Sequence, residues 1–321
     1  MAVTIATERH YETAARKMLD GDVVPFLGAG ANLAGRPENA AWSAGCGFLP
    51  NGWELANALA EKVRYPDPDD RDLMRITQFI EADEGVGPLY RYVRRQFDDV
   101  YEPTALHHFL AEVAARLRMS GTPRQVILTT NYDDALEEAF KARDEPYELI
   151  WYQAHPRHPD CGHFLHALPD GPAVIREPND YDKLDPDACT VIVKLHGAMI
   201  RTNRESDSYV ITEDDYIRYL TRSDVTSQIP AVLRPRIRDS HLLFLGYGMR
   251  DWNLRVVLER LGGEIVSRDY QSWCVQREPD TEGAKLIEAK LWGDRDVDLV
   301  YTALDVYVER LRAEMPDLSP E

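Results

Sequence analysis

Four short segments that follow apolar runs hold the residues of this chain that could do chemistry. The first run, residues 22–27, ends at a segment of small residues, Gly28-Ala29-Gly30-Ala31-Asn32. Small side chains let backbone N–H groups approach a phosphate. Leu33 stands where a Gly-x-Gly-x-x-Gly fingerprint would have its third glycine. The segment alone therefore predicts either a phosphate contact or a tight strand-to-helix turn, and the turn explains it at least as well.

The second segment contains Asn131 and Asp133, which follow the apolar run 126–130. An asparagine can orient a hydroxyl or a water, and an ionised aspartate can bind a sugar hydroxyl or stabilise a nearby positive charge. A helix cap is the alternative role at such a position. The segment by itself favours the cap.

The third segment is His196-Gly197, directly after the apolar run 190–195. An imidazole titrates near neutral pH and can take a proton from a hydroxyl during a reaction. The glycine opens space beside the ring. A single histidine at the end of a strand is nevertheless more often structural than catalytic.

The fourth segment, Gly246-Tyr247-Gly248, follows the run 241–245 and precedes Asp251 and Asn253. It could contact a nucleotide ribose or phosphate. A plain strand-turn-helix connection, with Asp251 as the helix cap, explains it equally well.

Residues 155–166 contain four of the nine histidines together with Cys161. Histidine and cysteine are the ligands that zinc prefers. The spacing fits no familiar zinc-finger pattern, and we expect no metal here.

The elements that would position these segments alternate between strands and helices. Short, continuously apolar runs predict buried strands, and helical periodicity lies between them. Such alternation is typical of a doubly wound parallel sheet. We therefore predict a Rossmann-like α/β fold with helices on its faces, in which the four segments meet at the carboxyl edge. Predicted strands are 22–27, 126–130, 190–195, 241–245, 272–276 and 297–302; predicted helices are 8–20, 53–63, 72–82, 89–97, 105–118, 135–142 and 304–314.

The domain organisation predicted from this pattern is a single domain over residues 1–321. Its helical stretch at about 53–120 is too long for a simple crossover and indicates a helical insertion. The segment at about 153–190 carries six prolines and little periodicity. We predict an irregular excursion there.

The net charge of −18 makes direct nucleic-acid binding and adhesion to anionic membranes poor expectations. We find no signal-peptide pattern and no apolar stretch of transmembrane length. The four cysteines are widely separated, which is typical of reduced thiols. The sequence predicts a cytoplasmic protein.

Taken together, the four segments resemble the sirtuin-like family in type and order. More narrowly, the chain looks like the prokaryotic branch associated with antiphage NAD depletion. The resemblance extends from about residue 20 to 312. Its further support is Leu49-Pro50-Asn51-Gly52-Trp53-Glu54-Leu55 and Val210-Ile211-Thr212-Glu213-Asp214-Asp215-Tyr216.

The resemblance implies roles for individual residues. Asn131, Asp133 and His196 would be catalytic, with Asp133 on the ribose and His196 as the proton acceptor. The dinucleotide would be contacted by Gly28, Ala29, Gly30, Ala31 and Asn32, and its adenosine half by Gly246 and Tyr247.

The chain departs from protein-deacylating sirtuins in one respect. Those enzymes carry a four-cysteine zinc module after the His-Gly, whereas residues 198–240 contain no cysteine. The resemblance therefore implies an NAD glycohydrolase, with NAD as substrate and no sirtuin-type zinc ribbon. Two alternatives remain open: a non-catalytic NAD or ADP-ribose-binding regulatory module, and an NAD-dependent protein deacylase or ADP-ribosyltransferase. The implied partners are further copies of the chain in a homo-oligomer, a separately encoded ATPase or regulatory protein, or both.

Overall fold

In the computed structural model, one mostly parallel sheet organises the chain; the structure describes residues 3–4, 8–37, 40–221, 228–247, 270–293, 297–315 and 318. Within these residues ten strands form the sheet, in the order β1-β10-β9-β8-β2-β3-β7-β4-β5-β6. Seven neighbouring pairs are parallel, and only β4–β5 and β5–β6 are antiparallel. The strands are β1 (Val3–Thr4), β2 (Val23–Leu27), β3 (Val126–Thr129), β4 (Tyr147–Tyr152), β5 (Phe164–His166), β6 (Ala173–Ile175), β7 (Thr190–Lys194), β8 (His241–Leu245), β9 (Ser272–Gln276) and β10 (Val297–Tyr301).

The four strands that precede the chemistry-bearing segments are neighbours in the centre of the sheet, in the order β8-β2-β3-β7. Their residues are almost all buried, because helices cover both faces and both sets of alternating side chains need apolar surroundings. The predicted Rossmann-like α/β fold is confirmed, and the carboxyl ends of these four strands lie at one edge.

Ten α-helices are described, and they form three groups. Helices α1, α5, α6 and α10 pack on one face of the sheet, and α7, α8 and α9 contribute to the core on the other. Helices α2, α3 and α4 pack with one another in a third apolar cluster. The helices are α1 (Glu8–Leu19), α2 (Gly52–Val63), α3 (Leu73–Glu84), α4 (Val86–Phe97), α5 (Ala105–Ser120), α6 (Ala135–Ala142), α7 (Glu213–Thr221), α8 (Arg234–Arg238), α9 (Glu282–Gly293) and α10 (Leu304–Ala313).

Helix α2 begins where side chains satisfy its first backbone groups. Asn51 accepts a hydrogen bond from the Glu54 amide, and the Glu54 carboxylate accepts one from the Asn51 amide, which is a capping box. The same carboxylate receives two hydrogen bonds from Arg36, of 2.9 and 2.7 Å. This contact ties the start of α2 to the chain that leaves the first glycine-rich segment.

The prolines of residues 153–190 led us to predict an irregular excursion, but part of this segment is regular. It contributes β5 and β6, which extend the sheet antiparallel beyond β4. Strands β1 and β4 and helices α7, α8 and α9 are further elements for which the sequence predicted no bounds. Strands of three residues have too few positions to show an alternating pattern, so their pairing depends on the edge that β4 provides.

None of the helices in the described parts of the chain is long and apolar enough to cross a membrane.

Candidate active site

A cleft with a volume of about 360 Å³ opens at the carboxyl edge of the central strands. This volume lies within the range of small-molecule sites, roughly 300–1,000 Å³. Eight of the ten residues predicted for the site line it: Ala29, Gly30, Asn32, Asn131, Asp133, His196, Gly246 and Tyr247. The other two, Gly28 and Ala31, are buried and are not among its lining residues.

The floor of the cleft is a close contact between two backbone turns. A Cβ atom on Gly30 would lie 2.7 Å from the Gly246 carbonyl oxygen, and one on Gly28 would lie 2.8 Å from the same atom. Gly246 itself has φ +78°, a conformation that L-residues with side chains rarely adopt. The small residues are thus required by the approach of the turns to each other.

Three amides of the first turn already donate hydrogen bonds within the protein. Gly28 N–H donates to Leu245, Gly30 N–H to Gly246, and Ala31 N–H to Gly28, each at 2.9 Å. A phosphate at this turn would therefore gain close approach to the backbone, but not these three donors. This differs from the simple amide cradle that the sequence suggested.

Asn131 presents its side-chain amide at the edge of the cleft. Its Nδ2 donates to the Gly28 carbonyl at 3.1 Å, and its backbone N–H donates to the Thr129 hydroxyl. The amide oxygen is left to accept a hydrogen bond from a hydroxyl or a water.

Asp133 bonds to the start of a helix and also lines the cleft. One carboxylate oxygen accepts from the Ala135 amide at 3.1 Å, which caps the start of α6. The other accepts from Asn32 Nδ2 at 2.8 Å. The side chain also lines the cleft, so a capping role does not remove it from the site.

Asn32 has an orphaned polar atom. The residue is 4% exposed, and although its Nδ2 is bonded to Asp133, its Oδ1 has no hydrogen-bond partner. A buried acceptor without a partner is costly, about 1–3 kcal/mol. A ligand hydroxyl or a water in the cleft would satisfy it.

His196 has the second orphaned atom. It is 3% exposed, and its Nε2 has no partner. The rings of Tyr216 and Tyr219 approach it edge-on, with centroids 5.5 and 5.3 Å away. Burial lowers the pKa of His196 to about 3. The ring is therefore neutral near physiological pH.

Lys194 and Glu137 lie behind the cleft and were missed by sequence reasoning. Lys194 Nζ contacts Glu137 Oε1 at 2.6 Å and donates a hydrogen bond to the Asp133 carbonyl oxygen. Both side chains are buried. A lysine at the end of an otherwise apolar strand was the available signal, because a buried charge requires a partner.

Hydroxyl contacts and ring packing fix the position of Tyr247. Its hydroxyl donates to the Leu27 carbonyl at 3.1 Å and contacts the Thr130 hydroxyl at 2.7 Å. Its ring packs edge-on against Phe26. The hydroxyl thus joins the ends of three strands. Gly248, Asp251 and Asn253, which the sequence placed beside it, lie outside the described residues.

A second cavity of about 510 Å³ adjoins the cleft and shares Gly30, Gly246 and Tyr247 with it. Its other walls come from the segments that follow β9 and β10, including Gln276, Arg277, Thr302 and Asp305, together with Arg36. Sequence reasoning predicted these two strands but assigned nothing to their carboxyl ends. The signal was the strand ends themselves, since they face the same edge as the other four.

The roof of the cleft comes from the helical layer. Asn51, Gly52 and Leu55 of the α2 region, Leu73 of α3 and Phe97 of α4 all line it. The helical layer thus contributes the apolar side chains of Leu55, Leu73 and Phe97 to the lining of the cleft.

The histidines and the cysteine of residues 155–166 make local contacts. His155 Nδ1 accepts from the Arg157 amide, His158 Nδ1 from the Asp160 amide, and His166 Nδ1 contacts the Tyr181 hydroxyl. Across the parts of the chain that are described, no group of three or more histidine, cysteine or acidic side chains is arranged to hold a metal ion.

Comparison with known families gives one match, a SIR2-like domain over residues 125–300. The matched part contains Asn131, Asp133, His196 and Gly246, but not the first glycine-rich turn. No curated protein matches the chain. SIR2-like domains bind NAD, and members of the family are NAD-dependent enzymes. The matched residues make up more than half of the sequence and include the carboxyl ends of three of the four central strands, so the chain belongs to the SIR2-like family.

Proposed function

We propose that this protein is an NAD glycohydrolase, which cleaves NAD to nicotinamide and ADP-ribose. The observation that carries the proposal is the pair of orphaned buried atoms in one cleft, Asn32 Oδ1 and His196 Nε2. Buried polar atoms are nearly always bonded, and a ligand or a water in the cleft would supply partners for these two. The ribose hydroxyls of NAD and the attacking water have the required chemistry.

The proposed reaction breaks the bond between ribose C1′ and the nicotinamide nitrogen, and the electron pair leaves with nicotinamide. Positive charge then develops on the ribose. The Asp133 carboxylate, held by Asn32 and the α6 amide, is a fixed negative charge beside it. Water forms the new bond to C1′ and gives up a proton.

His196 would accept that proton, because its neutral ring carries a free nitrogen in the cleft wall. Asn131 would orient the water or a ribose hydroxyl through its amide oxygen. Lys194 lies behind these groups and holds the Asp133 backbone rather than the substrate.

The second cavity would take the adenosine half of NAD. It meets the cleft at the glycine contact, where close backbone approach suits a pyrophosphate. Asp305 in its wall offers a carboxylate for a ribose hydroxyl. We include Gly28, Ala29, Gly30, Ala31, Asn32, Gly246 and Tyr247 among the proposed dinucleotide contacts.

Two features favour water over an acyl-lysine as the acceptor. Residues 198–240 contain no cysteine for the zinc module of protein deacylases. Leu55, Leu73 and Phe97 also line the cleft from the helical layer, which restricts the room for a peptide.

We further propose that the chain acts in antiphage defence by NAD depletion, in line with its resemblance to that branch of the family. An unrestrained NAD hydrolase would harm its own cell. We therefore expect activity to be gated by homo-oligomerisation or by a separately encoded ATPase or regulatory partner.

The test incubates purified protein with NAD and measures nicotinamide and ADP-ribose. His196→Gln and Asn32→Ala should lose most turnover. His10→Gln is the matched control, since His10 is also a buried histidine with a lowered pKa but does not line the cleft. Equal activity of wild type, His196→Gln and His10→Gln would rule out the assigned proton acceptor.

Calorimetry with NAD on the same variants separates the other possibilities. NAD binding without turnover, with and without a neighbouring-gene product, would favour a regulatory module. Nicotinamide release only in the presence of an acylated peptide or a protein acceptor would favour deacylation or ADP-ribosylation.

A further inference from the structure

A third cavity, of about 550 Å³, lies between helix α4 and the turn at residues 204–206. We call it the α4 cavity. Its walls include Arg91, Arg94, Arg95, Arg204, Tyr90 and His155. It has no lining residue in common with the cleft or with the second cavity. The α4 cavity is therefore a separate site.

Positive charge is concentrated at this place in an acidic protein. The chain as a whole has a net charge of −18. Helix α4, in contrast, contains three arginines and no acidic residue. Such a local reversal of charge favours the approach of an anion to this face.

The acidic neighbours neutralise only some of these arginines. Arg94 is buried against Asp207 at 2.7 Å, and Arg204 lies 3.6 Å from Asp98. Arg91 and Arg95 have no hydrogen bond or ion pair to any described residue. They are four positions apart, so they lie on the same side of α4.

The other titratable groups of the walls leave this balance positive. Glu205 is the remaining acidic wall residue. Burial is the main reason that the pKa of His155 is lowered, so that its ring adds no charge at neutral pH. Two unpaired guanidinium groups thus face one unpaired carboxylate.

The α4 cavity is joined to the cleft by packed side chains. The Tyr90 ring contacts Tyr209 at a centroid distance of 4.8 Å, and Tyr209 contacts Tyr132 at 5.2 Å. Tyr90 lines the α4 cavity and Tyr132 lines the cleft. The walls of the two spaces are therefore continuous.

Arg94 provides a second connection. Besides its ion pair with Asp207, it donates to the Ile200 carbonyl at 3.2 Å, and Asp207 accepts from the Ile200 amide at 2.8 Å. Ile200 belongs to the segment that directly follows His196. Arg94 and Asp207 thus link α4 to the segment that follows His196.

We propose that the α4 cavity binds a phosphate-bearing small molecule, which Arg91 and Arg95 recognise and which regulates the cleft. Guanidinium groups suit phosphate because they donate two parallel hydrogen bonds as well as charge. The volume is that of a small-molecule site, which favours a small ligand over an acidic protein segment. The binding claim stands alone, whereas the regulatory claim rests on the proposed NAD hydrolysis.

The binding test is calorimetric titration of the full chain with pyrophosphate, ATP and ADP-ribose in turn. We expect at least one probe to bind wild type and to bind the Arg91→Ala/Arg95→Ala variant about tenfold more weakly or worse, which corresponds to about 1.4 kcal/mol. Binding of pyrophosphate alone would indicate a phosphate site, and binding of the nucleotides alone a nucleotide site. The Arg91→Lys/Arg95→Lys variant keeps the charge and should recover part of the affinity.

Two controls separate this site from others. Arg9→Ala/Arg16→Ala removes two exposed arginines of α1 and should leave affinity unchanged. Gly30→Ala, which disturbs the cleft floor, should leave unchanged the component of binding that Arg91→Ala/Arg95→Ala weakens. The proposal is overturned if no probe binds or if only Gly30→Ala abolishes binding. It is also overturned if Arg91→Ala/Arg95→Ala and Arg9→Ala/Arg16→Ala lose the same amount of affinity. Binding of an acidic peptide in place of all three probes would also overturn it.

The regulatory test measures nicotinamide release with and without the probe that binds. We expect the probe to change turnover at least about twofold in wild type but not in Arg91→Ala/Arg95→Ala. Binding without any change in turnover would refute the regulatory claim but would leave the binding claim intact. If no variant cleaves NAD under any condition, the proposed function fails while the titration still decides the site.

Discussion

Lys194 and Glu137 form an ion pair of 2.6 Å in which the two side chains are only 1% and 4% exposed. Lys194 ends β7 two residues before His196, and Glu137 lies in the first turn of α6. Lys194 also donates a hydrogen bond to the Asp133 carbonyl oxygen. One buried ammonium thus connects the strand that carries the proposed base with the turn that carries the proposed carboxylate.

Lys194→Met should strongly destabilise the protein. The substitution leaves the Glu137 carboxylate buried without its partner, and burial already raises the pKa of that group. Breaking a buried ion pair costs about 3–5 kcal/mol. Chemical denaturation of wild type and variant would measure the difference.

The double variant Lys194→Met/Glu137→Met is the control for that prediction. Because it removes both charges, it should recover much of the lost stability. A double variant no more stable than Lys194→Met would show that packing, and not the unpaired charge, dominates.

The free energy of unfolding should fall as the pH drops from about 7.5 to 5.5. Burial lowers the pKa of His10 and His107 to about 4 and that of His196 to about 3, from a usual 6.5. In this window the unfolded chain takes up protons that the folded chain does not, so the stability present above pH 6.5 is lost on acidification. Each such histidine contributes about 1 kcal/mol of loss at the lower pH.

His10→Gln isolates one of these contributions. Glutamine does not titrate and can still reach the Tyr307 hydroxyl, which His10 Nε2 contacts at 2.9 Å. The loss of stability between the two pH values should be about 1 kcal/mol smaller in this variant. An unchanged loss would mean that the pKa of His10 is the same in the folded and the unfolded chain.

The rate of NAD cleavage should be nearly independent of pH between about 5 and 8 in folded protein, as far as His196 is concerned. Its lowered pKa of about 3 keeps the ring neutral throughout. The profile of kcat/KM, with near-ultraviolet circular dichroism to verify folding at each pH, measures this. An acidic limb near pH 6.5 that disappears in His196→Gln would contradict it.

Gly30→Ala should impair NAD binding and cost about 1–3 kcal/mol of stability. The added methyl would lie 2.7 Å from the Gly246 oxygen and 2.9 Å from its Cα, so one of the two turns must move. Binding calorimetry and thermal unfolding test the two effects.

Gly283→Ala is the matched substitution, because a methyl at this position in α9 meets nothing within 4 Å. It should leave NAD binding intact and raise stability slightly, by up to about 1 kcal/mol. Equal losses of NAD affinity in both variants would show that NAD binding does not depend specifically on the contact between Gly30 and Gly246.

Much of the fold could be predicted because the central strands are continuously apolar over a few residues and end at glycine or polar side chains. Strands β8 and β9 and helix α6 have the predicted bounds. Strands β5 and β6 could not be predicted, since their three residues are strands only through pairing with β4. His107 shows the same limit: its Nδ1 accepts a hydrogen bond from the Thr104 amide at the start of α5, a role that a helical pattern does not distinguish from core packing.

The candidate site divides in the same way. The sequence alone determined which segments follow strands at the carboxyl edge of the sheet, because a local run of apolar residues indicates a buried strand. Only the tertiary structure decided that Gly28 and Ala31 lie beneath the cleft while Asn32 reaches Asp133, 101 positions along the chain. It likewise decided the Lys194–Glu137 pair and the second cavity. Such contacts depend on how helices pack across the sheet. No local pattern of residues encodes a contact between positions so far apart in the chain.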